Sequence, residues 1–479
     1  MPAATSAYEE RYRKAIILVL LGGALLRTAL ALVNSEANDN HLEVILVMAD
    51  EHRIPPKEEL GEAFQPKLYH ATVAALWKIL PVSSLPIRIR LAQFVSCAAG
   101  IVTLLLMMTF VRSEAKVTAK AAFLAFALVA LNPGLIGINA QATNDSLVIL
   151  FATLSLYGGY RFFETRRSRD FVWMTLAAIC AGLSKGNGLV VCVAILAVFM
   201  VALLRGRNAG VMTRGRALLY ALVFLVSFLA VVPQVGPYWD HYRRYGSPFV
   251  LNIGPPPRPH IFERTFVYKP GVISIVDSFL TFRFFDMLRT PLNTTDKEHF
   301  PPHRTSLWSQ LYGRAHFVRF DAWPPSWRLP SGRWEGMASL LRNLGRLIFL
   351  CALFPSMLLL VAIWRRIILA IRWLGGTKQP QAKLGDWLLD LAVFGYLSFI
   401  VVYSLQYRDY AVMKAIFIFP GLLGFLTLFA RECERFYNTY DGNKMVRISA
   451  DALLASLLLL YTADVIALIG QLGIHWLAS

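Results

Sequence analysis

Arg27, Asp39, His41, Glu43, Lys67, His70, Asp145, Lys185, Arg408, Asp409 and Lys414 each lie beside an apolar run of the sequence. Ionisable side chains next to hydrocarbon are costly unless they are paired or used. A carboxylate with several cations at one water–lipid boundary suits a reaction on a phosphate-bearing lipid, in which the cations hold the phosphate and the carboxylate takes a proton. Plainer readings stand beside this one. "SEANDNHLEV" at 35–44 puts Asp39 directly after a hydrophobic run, where a carboxylate also serves as a helix cap or a solvated loop group. Lys67 and Tyr69 in "FQPKLYH" are residue types that anchor interfacial helices. Asp145, with Asn144 before it, reads as an N-terminal cap. Lys185 in "LSKGNG" is harder to explain away. A lone Lys costs roughly 2.5 to 3.5 kcal/mol at a helix centre and less at an interface, where it snorkels. The neighbouring Gly186 and Gly188 let backbone approach a ligand. His41 and Glu43 are placed to support Asp39 or to share a metal with it. Asp39 and Glu43 have the i, i+4 spacing of one helical face and His41 does not, so no metal and no cofactor is expected.

These groups have to be positioned by a bilayer. Of 479 residues, 56% are hydrophobic and only 16% charged, and the mean hydropathy is +0.51, too apolar for an ordinary soluble domain. About eleven stretches approach the roughly 20 apolar residues that one crossing needs, so the fold class is an all-α polytopic membrane protein. A net charge of +18 would suggest nucleic acid in a soluble protein. Here Lys and Arg gather in alternate short loops, at 112–120, 161–169, 205–216, 365–383 and 431–447, which the positive-inside rule assigns to the cytoplasm. No nucleic-acid partner is expected, and membrane lipids are. Span counting between those loops puts the N-terminus in the cytoplasm and every candidate residue at the opposite surface. The first run, 15–33, is read as a retained helix, being longer than a signal-peptide core and followed by many more spans. Cys97, Cys180, Cys192, Cys351 and Cys433 show neither a disulfide framework nor zinc spacing. The chain divides into an N-terminal transmembrane module, 1–235, whose first outer loop is 34–90, an extracytoplasmic loop region, 236–344, and C-terminal transmembrane helices, 345–479.

"NDNH", "FQPKLYH", "LNPGLIGINAQATNDSLVILF", "GLSKGNG", "RRYGSPF" and "YRDYAVMKAIFIFP" follow one another in an order that resembles the GT-C glycosyltransferases. The resemblance is to the branch of protein O-mannosyltransferases and lipid A aminoarabinose transferases. It implies a GT-C fold and a glycosyltransferase active on the extracytoplasmic face of a membrane, the inner membrane if the host is bacterial. A sugar would pass with inversion from a polyprenyl-phosphate donor, such as one on undecaprenyl phosphate, to an acceptor hydroxyl of a glycan, lipid or protein. The resemblance makes Asp39 the general base and assigns Lys185, Arg408, Lys67 and Lys414 to the donor phosphate. His41, Tyr69, His70 and Glu43 would support the base or meet the acceptor. Asn40 stands where many relatives have Glu, so the acidic pair of the mannosyltransferases is absent. A reading from another class, a transporter or flippase of a lipid-linked sugar, shares the basic cavity, and the lack of paired inverted repeats weighs against it.

Overall fold

The computed structural model describes residues 2–37, 40–80, 82–205, 212–249, 275–292, 306–320, 325–327, 335–374, 383–407 and 413–478. Asp39, Arg408 and Asp409 lie outside these residues. Among the described residues the chain is helical throughout, with no strand. Helix α1 (Pro2–Val33) leads into a segment that holds α2 (His41–Leu46) and the short amphipathic α3 (Leu68–Ile79). There follow α4 (Leu85–Ser113), α5 (Ala119–Ala130), α6 (Pro133–Asn139), α7 (Asp145–Thr165), α8 (Ser168–Ser184), α9 (Leu189–Arg205) and α10 (Arg214–Val235). Shorter helices come next, α11 (Tyr238–Tyr245), α12 (Ile275–Leu280), α13 (Phe284–Arg289) and α14 (Leu307–His316). Four long helices end the chain: α15 (Glu335–Leu374), α16 (Leu384–Tyr407), α17 (Leu422–Thr439) and α18 (Lys444–Ala478).

Among the described residues eight of these are long and apolar enough to cross a bilayer, or nine if the bent pair α5–α6 forms one span, so the protein is an integral membrane protein, and two of the expected eleven spans do not meet that measure there. The two shortfalls have local causes. Helix α8 has 17 residues, and α17 carries Arg431, Glu432, Glu434 and Arg435 within its length. The main core lies where α1, α4, α5, α7, α8, α9, α16 and α17 meet, around Phe110, Phe126, Tyr160, Phe162, Phe199 and Tyr396.

The run 121–138 reads as one continuous span, yet the structure bends it by 51°. Asn132 accepts the backbone N–H of Leu135 at 2.8 Å and Pro133 occupies the first turn of α6, so a new helix starts there. The carbonyls that end α5 then lack helical partners. Arg27 supplies one: its fully buried guanidinium donates to Ala130 O at 2.7 Å, Gly23 O at 2.9 Å and Asn139 Oδ1 at 2.9 Å. A buried cation at a helix C-terminus also meets the favourable end of its dipole. Arg27, a candidate for chemistry by type, is thus a plug in a broken helix.

At one end of the bundle, ion pairs tie the elements together: Lys120–Asp451 at 2.8 Å, Lys383–Glu164 at 2.9 Å, Arg366–Asp390 at 2.6 Å and Arg431–Asp386 at 2.6 Å. These are residues of the loops and helix ends rich in Lys and Arg. The polar groups described next lie at the opposite end.

Candidate active site

Lys185 ends α8 in extended backbone, and its Nζ lies 2.7 Å from Asp145 Oδ1 at the start of α7. The Asp145 side chain is 4% exposed and that of Lys185 12%. The other carboxylate oxygen accepts the Thr143 hydroxyl at 3.0 Å. Burying an ion pair is tolerated when the remaining lone pairs are also satisfied, and here they are. The N-cap reading of this motif does not hold. Asn144 makes no side-chain cap bond. It donates instead to Ser184 O at 3.1 Å and to Gln65 Oε1, while Gln65 Nε2 donates to the Glu62 carboxylate. One buried amide thus fastens the Gln65 segment to the end of α8.

The turn Gly186–Gly188 needs only one of its two glycines. A Cβ on Gly188 would fall 2.2 Å from Ala181 O, whereas one on Gly186 would meet nothing within 4 Å. Gly188 is demanded by close packing on α8. Across this turn stands a second one, Ala415–Phe417, capped by Lys414. Asn187 Nδ2 donates to Phe417 O at 3.3 Å, and Lys185 Nζ lies 5.3 Å from the centre of the Phe417 ring. The turn that follows Lys414 is therefore next to Lys185.

The chain on both sides of Asp39 is anchored. Before it, Asn34 donates to Ala140 O at 2.9 Å and accepts Trp327 Nε1 at 3.3 Å, and Gln93 donates to Glu36 O at 2.7 Å. After it, His41 Nδ1 and His70 Nε2 share a hydrogen bond of 3.0 Å, both rings being fully buried. Burial, aided by the nearby His41 and Lys67, holds the His70 pKa well below the usual imidazole value, so His70 stays neutral. Lys67 donates to Ala63 O at 2.5 Å and Gln65 O at 2.7 Å. Burial brings its ammonium down to about 8, against a weaker upward pull from Glu62.

The sequence-predicted residues thus fall into groups. Lys185, Lys67 and the Lys414 turn are linked through Gln65, Asn144 and Phe417. His41, His70 and Tyr69 form a neighbouring ring cluster, with His41 and Tyr69 centroids 6.2 Å apart. The Tyr69 hydroxyl donates to Ala92 O at 2.9 Å and so ties α3 to α4. Glu43 is exposed, on the other face of α2 from His41. Asp39 and Arg408, the expected base and one expected cation, lie outside the described residues. Among the described residues no three His, Cys, Asp or Glu side chains are grouped to hold a metal. Sequence reasoning missed Gln65, Asn144 and Asn187. The signal available was their type: polar amides one or two residues from candidate charged groups, in "FQPK", "NDSL" and "KGNG".

Three comparisons bear on what this arrangement is. A crystal structure of ArnT from Cupriavidus metallidurans bound to undecaprenyl phosphate matches with 15% identity and a TM-score of 0.35, over 87% of this chain and 77% of that one. The same protein in the apo state matches with 14% identity and a TM-score of 0.36, over 87% and 76%. No curated protein sequence matches the chain. Residues 87–236, which hold Asn144, Asp145, Lys185 and Asn187, match the family model of the dolichyl-phosphate-mannose-protein mannosyltransferases, a family of GT-C glycosyltransferases.

Proposed function

We propose that the protein is a membrane glycosyltransferase that moves a sugar from a polyprenyl-phosphate donor to an acceptor hydroxyl on the extracytoplasmic face. The observation that carries this reading is the Lys185–Asp145 pair, joined through Asn144 and Gln65 to the segment of Lys67, within the stretch that matches the mannosyltransferase model. Lys185, Lys67, Lys414 and Arg408 hold the donor phosphate, and charge-assisted bonds to phosphate are about twice as strong as neutral ones. Asp39 takes the proton of the acceptor hydroxyl while its oxygen forms the bond to the anomeric carbon. The bond from that carbon to the phosphate oxygen breaks in the same step, its electron pair leaving with the polyprenyl phosphate, and the anomeric centre inverts. Cations that grip the departing oxygen stabilise the charge that develops there. The anchoring of 34–37 and of His41 supports the role of Asp39, because a base must be held within hydrogen-bond reach of the proton it takes.

The test is the Asp39→Asn enzyme, purified and given polyprenyl-phosphate sugars. Transfer should disappear while donor binding and the melting profile stay those of the wild type. Undiminished transfer by Asp39→Asn would remove Asp39 from the chemistry.

A further inference from the structure

Two buried amide oxygens flank Lys185 with no hydrogen-bond donor among the described residues: Asn144 Oδ1 and Asn187 Oδ1. Both side chains are at least nine-tenths buried, Asn144 at 0% and Asn187 at 3% exposure. The orientation of each amide follows from its neighbours. Glu62, when ionised, can only accept, so the Gln65 amide nitrogen turns to it and the Gln65 oxygen turns to Asn144. That oxygen and the carbonyl of Ser184 both require the Asn144 nitrogen, which leaves Oδ1 on the opposite side. For Asn187 the carbonyl of Phe417 fixes the nitrogen in the same way. Neither amide can flip to satisfy its oxygen without setting oxygen against oxygen. A buried acceptor left unpaired is costly, and two of them beside the Lys185–Asp145 pair call for a ligand that brings donors.

We infer that Asn144 and Asn187 are specificity-determining residues whose amide oxygens accept hydrogen bonds from hydroxyl groups of the donor sugar, next to the phosphate held by Lys185. This rests on the polyprenyl-phosphate reading above. A phosphate dianion offers no donors and cannot serve these oxygens, whereas a sugar with free hydroxyls can. The site therefore takes a sugar that presents hydroxyls toward the start of α7 and the end of α8, and a sugar blocked or deoxygenated there leaves both oxygens unpaired, which is how polar sites reject analogues.

The experiment compares binding of two lipids to the full-length protein in detergent: undecaprenyl phosphate, and undecaprenyl phosphate carrying mannose, glucose or galactose. Wild type should bind at least one sugar-bearing lipid more tightly than the bare phosphate. Asn187→Leu, which also removes the bond to Phe417 O that both lipids feel, should weaken that sugar-bearing lipid by about tenfold more than it weakens the bare phosphate. If Asn187→Leu does not fold, Asn187→Ala serves in its place with the same expected result. Equal weakening of both lipids, or an unchanged preference, overturns the assignment. A wild-type protein that binds neither lipid overturns the donor reading as well, and so separates the two failures.

Discussion

Removing Lys185 while keeping Asp145 should be costly, and removing both should be cheap. Lys185→Met leaves the Asp145 carboxylate, 4% exposed, without its cation. Breaking a buried pair by deleting one partner costs about 3 to 5 kcal/mol, and the Thr143 hydroxyl, which still satisfies one oxygen at 3.0 Å, puts the expectation near the lower figure. In Asp145→Asn the orphan is Lys185, which is 12% exposed at a water-facing end, so about 1 to 2 kcal/mol is expected. The double variant buries no unpaired charge and should lose no more than about 1 kcal/mol relative to wild type, giving a coupling of about 3 to 5 kcal/mol. Unfolding of the four proteins in micelles titrated with a denaturing detergent measures the cycle. Additive losses, with the double variant the least stable, would refute the view that this pair is an internally compensated unit.

Three further perturbations separate the parts of the site and its scaffold. Lys67, drawn down to about 8 by burial, loses its charge as pH rises through that value. Binding of undecaprenyl phosphate should therefore weaken between pH 7 and 9 in wild type and show a shallower dependence in Lys67→Gln. The same downward shift means that the folded state holds this proton less tightly than the unfolded one, so the cost to stability is full below about 8 and fades as pH climbs toward the ordinary lysine value. Gly188→Ala should destabilise the turn and cut lipid-phosphate binding, since its Cβ would stand 2.2 Å from Ala181 O, whereas Gly186→Ala, which meets nothing within 4 Å, should be nearly silent in a thermal melt. Arg27→Met should lower stability by about 2 to 4 kcal/mol, because Ala130 O at the break between α5 and α6 loses its donor. A stable Arg27→Met protein would mean that water takes over there.

What could be read in advance follows the range of the forces involved. Long apolar runs and the alternation of basic loops are local signals, and the helices appear where they stand. Lys185 was conspicuous for the same reason, being a charge with no excuse in an apolar neighbourhood. Its partner was not, because Asp145 had a sufficient local explanation as a cap. Only the approach of residue 185 to residue 145 shows that the cap is unused. The link from Gln65 to Asn144 spans 79 residues and leaves no periodic trace. Arg27 shows the opposite error: its type and place promised chemistry, and the broken helix beside it absorbs all but one of its nitrogens. The break itself was visible as "LNPG", yet hydropathy alone reads straight through it.

The walls around Lys185 and around the residues preceding Asp39 come from both ends of the chain. Asn34 leans on Trp327, Asn187 on Phe417, and α1 packs beside α18. During synthesis, then, the segment after α1 and the "KGNG" turn must wait in the membrane unfinished until the last helices have been inserted. A chain released early, even one containing every residue up to Val235, would carry Asp39, Lys67 and Lys185 but lack Arg408, Lys414 and the surroundings that give the site its shape.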